Sequence, residues 1–362
     1  MKILVINPGS TSTKISVYDG EAPLFTQTIR HEAPDLARFA RVMDQEGYRR
    51  EMILKILKHH GIRLADLGAV IGRGGLLCPM PGGVYAVGPE MLDDLRSCRF
   101  GAHASNLGAI LAHDLAAEVG IPALIADPVV VDELGPLARY SGHPDIKRRS
   151  IFHALNHKAV ARRVAQELGR PYEELRLIVA HLGGGVSVGA HELGRVVDVN
   201  NALDGDGPFS PERSGGLPAG DVVGWCFAPG ASEADIRRKI TGGGGLFAYL
   251  GTANGLEIEK RIHGGDEPAR EAREAMAYQT AKEIGAMGAV LGGQVDAVIL
   301  TGGLMHDREL ARLIRARVAF LGPVMIHAGE DEMTALAQAA QRALADPESI
   351  RPYPPRFQTV SI

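Results

Sequence analysis

Two stretches of the chain repeat one pattern, and this recurrence limits the fold more than any other feature. In the first, the apolar run Ile3-Leu4-Val5-Ile6 breaks at Asn7-Pro8-Gly9. It passes through polar residues to Thr13 and resumes as the alternating Lys14-Ile15-Ser16-Val17-Tyr18, before an Asp19-Gly20 turn. In the second, Leu177-Ile178-Val179-Ala180 runs into His181-Leu182-Gly183-Gly184-Gly185. The alternating Val186-Ser187-Val188-Gly189-Ala190 follows, and then a third run, Gly194-Arg195-Val196-Val197-Asp198-Val199. A short apolar run bounded by turn residues reads as a buried strand, and alternation reads as a half-buried one. Placing Asn7 on His181 also places Gly9 on Gly183. Such a repeat suggests a duplicated unit with a boundary near residue 150. Two unrelated β-turn-β units would look alike, so the repeat alone leaves duplication open.

Between and beyond these units, strands and helices alternate. Helical spacing covers residues 33–60, 106–119, 153–168, 271–291, 308–320 and 333–344. Short apolar runs at 69–71, 124–126, 297–300 and 323–326 each end at a glycine or aspartate turn, and the tail bearing Pro347, Pro352, Pro354 and Pro355 reads as irregular. This order predicts an α/β fold around a largely buried sheet. A length of 362 residues exceeds what one core usually serves, so two domains are expected.

A net charge of -4 with no long Lys/Arg run gives no reason to expect nucleic acid or an anionic membrane as partner. Cys78, Cys98 and Cys226 are scattered and odd in number, which argues against a disulfide framework or zinc site and fits a reducing compartment. The apolar run at the N-terminus is too short for a signal-peptide core, and no stretch approaches a membrane span of ~20 apolar residues. The protein is expected in the cytoplasm.

Three strands end in glycine-bearing turns: Asn7-Pro8-Gly9-Ser10, His181-Leu182-Gly183-Gly184-Gly185 and Thr301-Gly302-Gly303. Glycine lets backbone amides approach a phosphate and point inward together, and Asn7, Ser10 and Ser12 can add side-chain hydrogen bonds to phosphate or metal-bound water. None matches the P-loop pattern. Gly185-Val186-Ser187-Val188-Gly189 fits the hydrolase elbow Gly-x-Ser-x-Gly, but that motif needs a strand-to-helix turn, and Ser187 sits inside an alternating strand pattern. His153 and His157 stand four apart on one helix face, a spacing that can bind metal, although no Glu follows His153. His181, at a strand end, is better placed for a site. Arg73 and Arg213 lie in glycine-rich loops, where a guanidinium suits bidentate carboxylate or phosphate binding. Asp127 either holds Mg²⁺ or substrate or simply ends its strand. Glu330-Asp331-Glu332 either holds Mg²⁺ through water or starts a helix, and both can be true.

The opening Ile3 to Lys14 resembles the first phosphate loop of the acetate kinase family. Further similarities follow in order: Gly72-Arg73-Gly74-Gly75, Asp127, Ile151-Phe152-His153-Ala154-Leu155-Asn156-His157-Lys158, His181-Leu182-Gly183-Gly184-Gly185, Arg213-Ser214-Gly215 and Leu300-Thr301-Gly302-Gly303. Within the family, four stretches resemble the butyrate kinase branch: Gly72-Arg73-Gly74-Gly75-Leu76, Pro81-Gly82-Gly83-Val84-Tyr85, His103-Ala104-Ser105-Asn106-Leu107-Gly108 and Gly329-Glu330-Asp331-Glu332-Met333. Acetate kinases typically have a histidine near the position of Ser105, and Gly-Asn-Gly where this chain has Gly183-Gly184-Gly185. Those departures point away from acetate as preferred substrate.

The resemblance implies a duplicated actin-like (ribonuclease H-like) ATPase fold with two domains and a nucleotide cleft. The N-terminal domain would cover 1–150, joined by 340–362, and the C-terminal domain, with most of the nucleotide site, 151–340. It implies ATP and Mg²⁺ as cofactors, a short-chain carboxylic acid as substrate, ADP and an acyl phosphate as products, and a homodimer or higher oligomer. By the same resemblance Arg73 holds the substrate carboxylate, Arg213 and His153 stabilise charge on the transferring phosphoryl group, and Asp127 orients substrate or metal. Asn7, Ser10 and Ser12 bind phosphate or Mg²⁺ water. One or more of Glu330, Asp331 and Glu332 places Mg²⁺, residues 183–185 cradle the β-phosphate with support from His181, and Gly302 and Gly303 lie by the adenosine. The alternatives are an acetate or propionate kinase of relaxed specificity, or an ATP-driven binding module on the same fold.

Overall fold

The computed structural model describes residues 1–354. Pro355, which the sequence reading included in an irregular tail, lies outside them, as does the rest of the 340–362 segment beyond Pro354. The chain divides into two compact units. One comprises residues 1–131 and the chain from Asp331 onward, and the other comprises residues 132–330.

The first unit is built on a mixed six-stranded sheet. Its strands are β1 (Lys2–Pro8), β2 (Ser12–Asp19), β3 (Ala22–Arg30), β4 (Leu67–Arg73), β5 (Val84–Ala86) and β6 (Ala123–Ala126), in the order β3-β2-β1-β4-β6-β5. The meander β1-β2-β3 is antiparallel, and β4 and β6 run parallel to β1. Ile3, Leu4, Val5 and Ile6 are fully buried, which is why their run is apolar without alternation. Helices Asn106–Ala117 and Glu332–Ala345 pack on this sheet. Glycine allows the closest approach. A Cβ on Gly72 of β4 would meet the Gly108 carbonyl oxygen at 2.0 Å, so strand and helix touch backbone to backbone.

The second unit carries a short hairpin of β7 (Tyr140–His143) and β8 (Ile146–Lys147), and a five-stranded sheet. The sheet strands are β9 (Arg176–Leu182), β10 (Val186–Glu192), β11 (Arg195–Val199), β12 (Ala297–Gly302) and β13 (Val324–Ala328), in the order β11-β10-β9-β12-β13. Again the first three strands form an antiparallel meander, and the next two run parallel to its inner strand. β9 thus plays the part of β1. Asn7 and His181 are each the penultimate residue of those strands. Val160, Val164 and Tyr172 pack one face of this sheet, and Met276, Ile284 and Ile314 the other.

The 33–60 stretch is not one helix. It forms a short turn of helix at Ala33–Leu36, a 3₁₀ turn at Val42–Gln45 and a helix at Glu46–His59. Arg41 is extended, and its backbone N–H donates to Asp44 at 3.1 Å. That side chain restarts the helix instead of continuing it. Among the described residues no helix is long and apolar enough to cross a membrane.

Candidate active site

In the first unit, the chain from Gly9 to Thr13 is tied down from beneath by a residue the sequence reading passed over. Arg49 is fully buried on the Glu46–His59 helix. Its guanidinium donates to the carbonyls of Gly9, Ser10 and Ser12, to Thr13 Oγ1 and to Gln45 Oε1, at 2.8–3.2 Å. Burial brings its pKa down to about 10, so it remains charged at neutral pH. With these carbonyls drawn to one cation, the loop is locked in a single shape. Nothing in the sequence neighbours of Arg49 distinguishes it from the other charges of the 33–60 stretch.

At the loop's leading edge, Asn7 Nδ2 donates to Glu332 Oε2, and Arg73 Nη1 lies 2.7 Å from Glu332 Oε1. β1, β4 and the start of the Glu332–Ala345 helix thus bring three predicted site residues together. Arg73 is about one-third exposed. Ser10 is exposed and Ser12 half-buried. Asp127 is buried, in a left-handed conformation at φ 39°, and its Oδ1 accepts the Gly83 N–H at 2.7 Å. This holds the Pro81-Gly82-Gly83 turn against β6. His103 accepts from or donates to Ser105 Oγ at 2.8 Å, and desolvation together with the Arg73 charge lowers its pKa.

The three consecutive acids go three ways. Asp331 caps its helix, accepting from Thr334 N–H at 3.0 Å and Thr334 Oγ1 at 2.6 Å. Glu332 meets Asn7 and Arg73. Glu330, in the second unit, has Oε2 at 3.4 Å from His153 Nε2 and 3.5 Å from His181 Nε2. The two imidazoles are 4.7 Å apart between centroids. His153 is the N-cap of the helix Ala154–Glu167, its ring accepting Asn156 N–H. His181, the penultimate residue of β9, has Nδ1 against Asn156 Oδ1 at 2.9 Å.

His157 does not join them. It is fully buried, 2.9 Å from Ser187 Oγ and 3.3 Å from the equally buried His191, which in turn meets Tyr172 OH. Burial first, and neighbouring cationic positions second, drive both histidines well below the usual range, so they are neutral packing groups. The Ser187–His157 contact imitates a hydrolase dyad, but Ser187 lies within β10 and is 2% exposed, out of reach of substrate.

Arg213 lies on the glycine turn. Its Nη1 donates to Ala202 O at 2.6 Å, its N–H to Ser210 Oγ, and Ser210 Oγ donates to Gly184 O at 2.7 Å. A Cβ on Gly185 would stand 2.0 Å from Nη1. Glycine is therefore required where the guanidinium crosses the turn. Desolvation holds Arg213 below the ordinary arginine range. Gly302, at φ 95°, lies where a Cβ would meet Leu182 O at 2.3 Å, and it pairs with Gly329 through two backbone hydrogen bonds. That pairing brings the residue after Gly329, Glu330, to the end of β9. Gly303 is exposed, with open space around it.

The second unit thus presents two histidines, an arginine and two glycine turns on adjoining strand ends. The first presents a locked polar loop with an arginine–carboxylate–amide chain. Strand ends of this kind suit phosphate and carboxylate groups. Residues 139–346 match the Acetokinase family. Over nearly the whole chain the fold is similar to that of an acetate kinase from Porphyromonas gingivalis, with TM-score 0.78, 21% identity, and 95% of this chain and 99% of that one covered. It is also similar to a propionate kinase from Francisella tularensis subsp. tularensis SCHU S4, with TM-score 0.73, 19% identity and coverage of 93% and 98%. An Entamoeba histolytica acetate kinase gives 0.74, 16%, and 94% and 99%. The architecture is the duplicated α/β actin-like one, and the chain belongs to the acetokinase family.

Proposed function

We propose that this enzyme phosphorylates butanoate, taking the γ-phosphoryl group of Mg-ATP to form butanoyl phosphate and ADP, reversibly. Family membership makes it an ATP-dependent phosphotransferase with a carboxylate acceptor. The finer reading is supported by the four stretches similar to butyrate kinases and by Gly183-Gly184-Gly185 in place of Gly-Asn-Gly.

The observation that carries the reading is the Asn7–Glu332–Arg73 chain. Arg73 already binds a carboxylate, that of Glu332, and a substrate carboxylate presents the same two oxygens. Glu332 and the Asn7 amide offer hard oxygen atoms, which fit Mg²⁺. The histidine-rich group of His153, His181 and Glu330 fits a softer metal instead. Asp331 is occupied as a cap, so we assign the Mg²⁺ carboxylate to Glu332, with Asn7. When bound, Mg²⁺ neutralises charge on the nucleotide phosphates.

In the reaction, a carboxylate oxygen held by Arg73 attacks the γ-phosphorus. The bond from that phosphorus to the β–γ bridging oxygen breaks, and ADP leaves with the electron pair. No proton moves. Positioning and charge stabilisation do the work, so Arg213 and the His153 Nε2–H meet the equatorial oxygens. Ser10 and Ser12 bind phosphate oxygens, and Asp127 orients the substrate side by holding its turn. Residues 183–185 and His181 serve the β-phosphate, and Gly302 and Gly303 the adenosine.

A homodimer or higher homo-oligomer is the expected assembly. The helix Ala219–Cys226 buries none of its residues, and Val223, Phe227, Tyr249 and Leu256 are each more than half exposed. A monomer mass by sedimentation would reject this.

The test is hydroxamate trapping of acyl phosphate with Mg-ATP and acetate, propionate, butanoate, isobutyrate or valerate, each alone. Butanoate ahead of acetate is expected. Acetate or propionate ahead would keep the chemistry and overturn the chain length, and no product with any acid would overturn the kinase reading.

A further inference from the structure

We propose that Tyr353 is a positioning residue for the substrate carboxylate: its hydroxyl fixes the loop that follows Arg73, and that loop in turn aims the Arg73 guanidinium. The inference rests on the reading that Arg73 binds the carboxylate, and every residue in it belongs to the first unit. Arg73 ends β4, and from Gly74 to Met80 the chain has no helix or strand to hold it. Its shape is set instead at alternate backbone N–H groups. Leu76 N–H donates to Asn106 Oδ1 at 2.8 Å, Cys78 N–H to the Tyr353 hydroxyl oxygen at 3.2 Å, and Met80 N–H to the Val130 carbonyl at 3.4 Å. Leu77 and Met80, each 1% exposed, pack the stretch into the core between these bonds.

The phenol is itself held. Its hydroxyl donates to Asp94 Oδ2 at 3.0 Å while accepting from Cys78, and Asp94 is buried on the helix Pro89–Arg96. Burial keeps the phenol above its ordinary range, so it stays protonated and able to donate. Two residues earlier the chain is pinned to β5, the edge strand of the six-stranded sheet. Arg351 N–H donates to Val84 O at 2.9 Å, and Ala86 N–H to Arg351 O at 3.1 Å. The C-terminal segment therefore reaches this part of the site twice. Glu332 meets the Arg73 guanidinium at 2.7 Å, and Tyr353 meets the loop at Cys78. Glu332 is the one ion-pair partner of Arg73 among the described residues, and it is also the carboxylate assigned to Mg²⁺. With metal bound, the direction of the guanidinium then falls to the backbone from which it projects. The phosphate-binding loop has a separate support in Arg49, so the two can be perturbed independently.

Tyr353→Phe removes one oxygen and keeps the ring. KM for the preferred acid should rise about tenfold, while kcat and KM for ATP stay within about twofold. A tyrosine that merely supported the fold would move both KM values together or neither. The second readout needs no activity. In hydrogen exchange of the full-length protein followed by mass spectrometry, residues 74–80 should exchange about tenfold faster in Tyr353→Phe, and residues 9–13, held by Arg49, at an unchanged rate. An unchanged KM for the acid, or a parallel rise in both KM values, would overturn the proposal. Unprotected exchange of 74–80 in the unmodified protein would overturn it too, whether or not the variant folds. A lack of acyl phosphate with every acid would reject the kinase reading separately, and the exchange rates would then decide whether Tyr353 fixes the loop.

Discussion

Replacing Gly185 by alanine tests how tightly the glycine turn governs Arg213. The backbone at Gly185 is not in the left-handed region, so alanine costs little conformationally. The new Cβ, however, would stand 2.0 Å from Arg213 Nη1 and 2.7 Å from its Cζ. A carbon and a nitrogen do not approach closer than about 3 Å without hydrogen bonding, so the guanidinium must withdraw by about 1 Å. That withdrawal also strains its 2.6 Å hydrogen bond to Ala202 O. A misplacement of ~1 Å at a catalytic group costs on the order of 10² in rate, and full loss of one charge-stabilising contact costs ~10²–10³. Gly185→Ala should therefore lower kcat about 100-fold. Stability should fall by no more than about 1–2 kcal/mol, since a single hydrogen bond is strained and no cavity forms. Gly285→Ala is the control, because its Cβ would meet nothing within 4 Å and it lies outside the candidate site. The assay is steady-state hydroxamate formation with calorimetric melting of each variant. In an Arg213→Ala background the Gly185 change should add little, as expected for two residues acting as one unit. Wild-type kcat in Gly185→Ala, or full additivity in the double variant, would refute the reasoning.

Arg49→Met removes donors from three loop carbonyls at once. It should cost about 3 kcal/mol or more in urea unfolding and raise the KM for ATP. Glu332→Gln should raise the Mg²⁺ concentration for half-maximal rate at least tenfold, while Glu330→Gln leaves it unchanged. Metal titrations that reverse this order would move the site to Glu330. His31 is pushed down to about 4 by burial and by the Arg49 charge. The unfolded chain then binds this proton more readily than the folded one, so the His31 contribution to stability is intact above about pH 6.5 and is lost as pH falls towards 4, at no more than about 1.4 kcal/mol per pH unit. Melting temperatures across that window should flatten in His31→Gln, and an unchanged slope would refute the assignment.

Much of the fold was legible because it rests on local physics. Ile3 to Ile6 and Leu177 to Ala180 are apolar at every position because each strand is covered on both faces, and glycines mark where those strands end. The break within 33–60 was not legible. It depends on Asp44 reaching back to Arg41, and composition alone does not separate that from helix-surface charge. The site divided in the same way. Asn7, Arg73, His181 and Arg213 stand at strand ends or in glycine loops, and His153 caps a helix, so these candidates could be named in advance. Arg49, Asn156 and Ser210 act through hydrogen bonds to residues distant in sequence, or to backbone, and left no local trace.

The amino-acid sequence by itself determined the alternation of elements and the glycine turns, and it offered the match of Asn7 to His181 without deciding duplication. All of these follow from periodicity and from φ/ψ freedom, which act over a few residues. Only the tertiary structure decided how the run Glu330-Asp331-Glu332 is divided among a histidine pair, a helix cap and an arginine. It likewise decided that His157 is packing while His153 and His181 face Glu330. Three adjacent carboxylates are chemically alike until the fold brings different partners to each, and a histidine's role depends on which of its nitrogens the surrounding backbone leaves free.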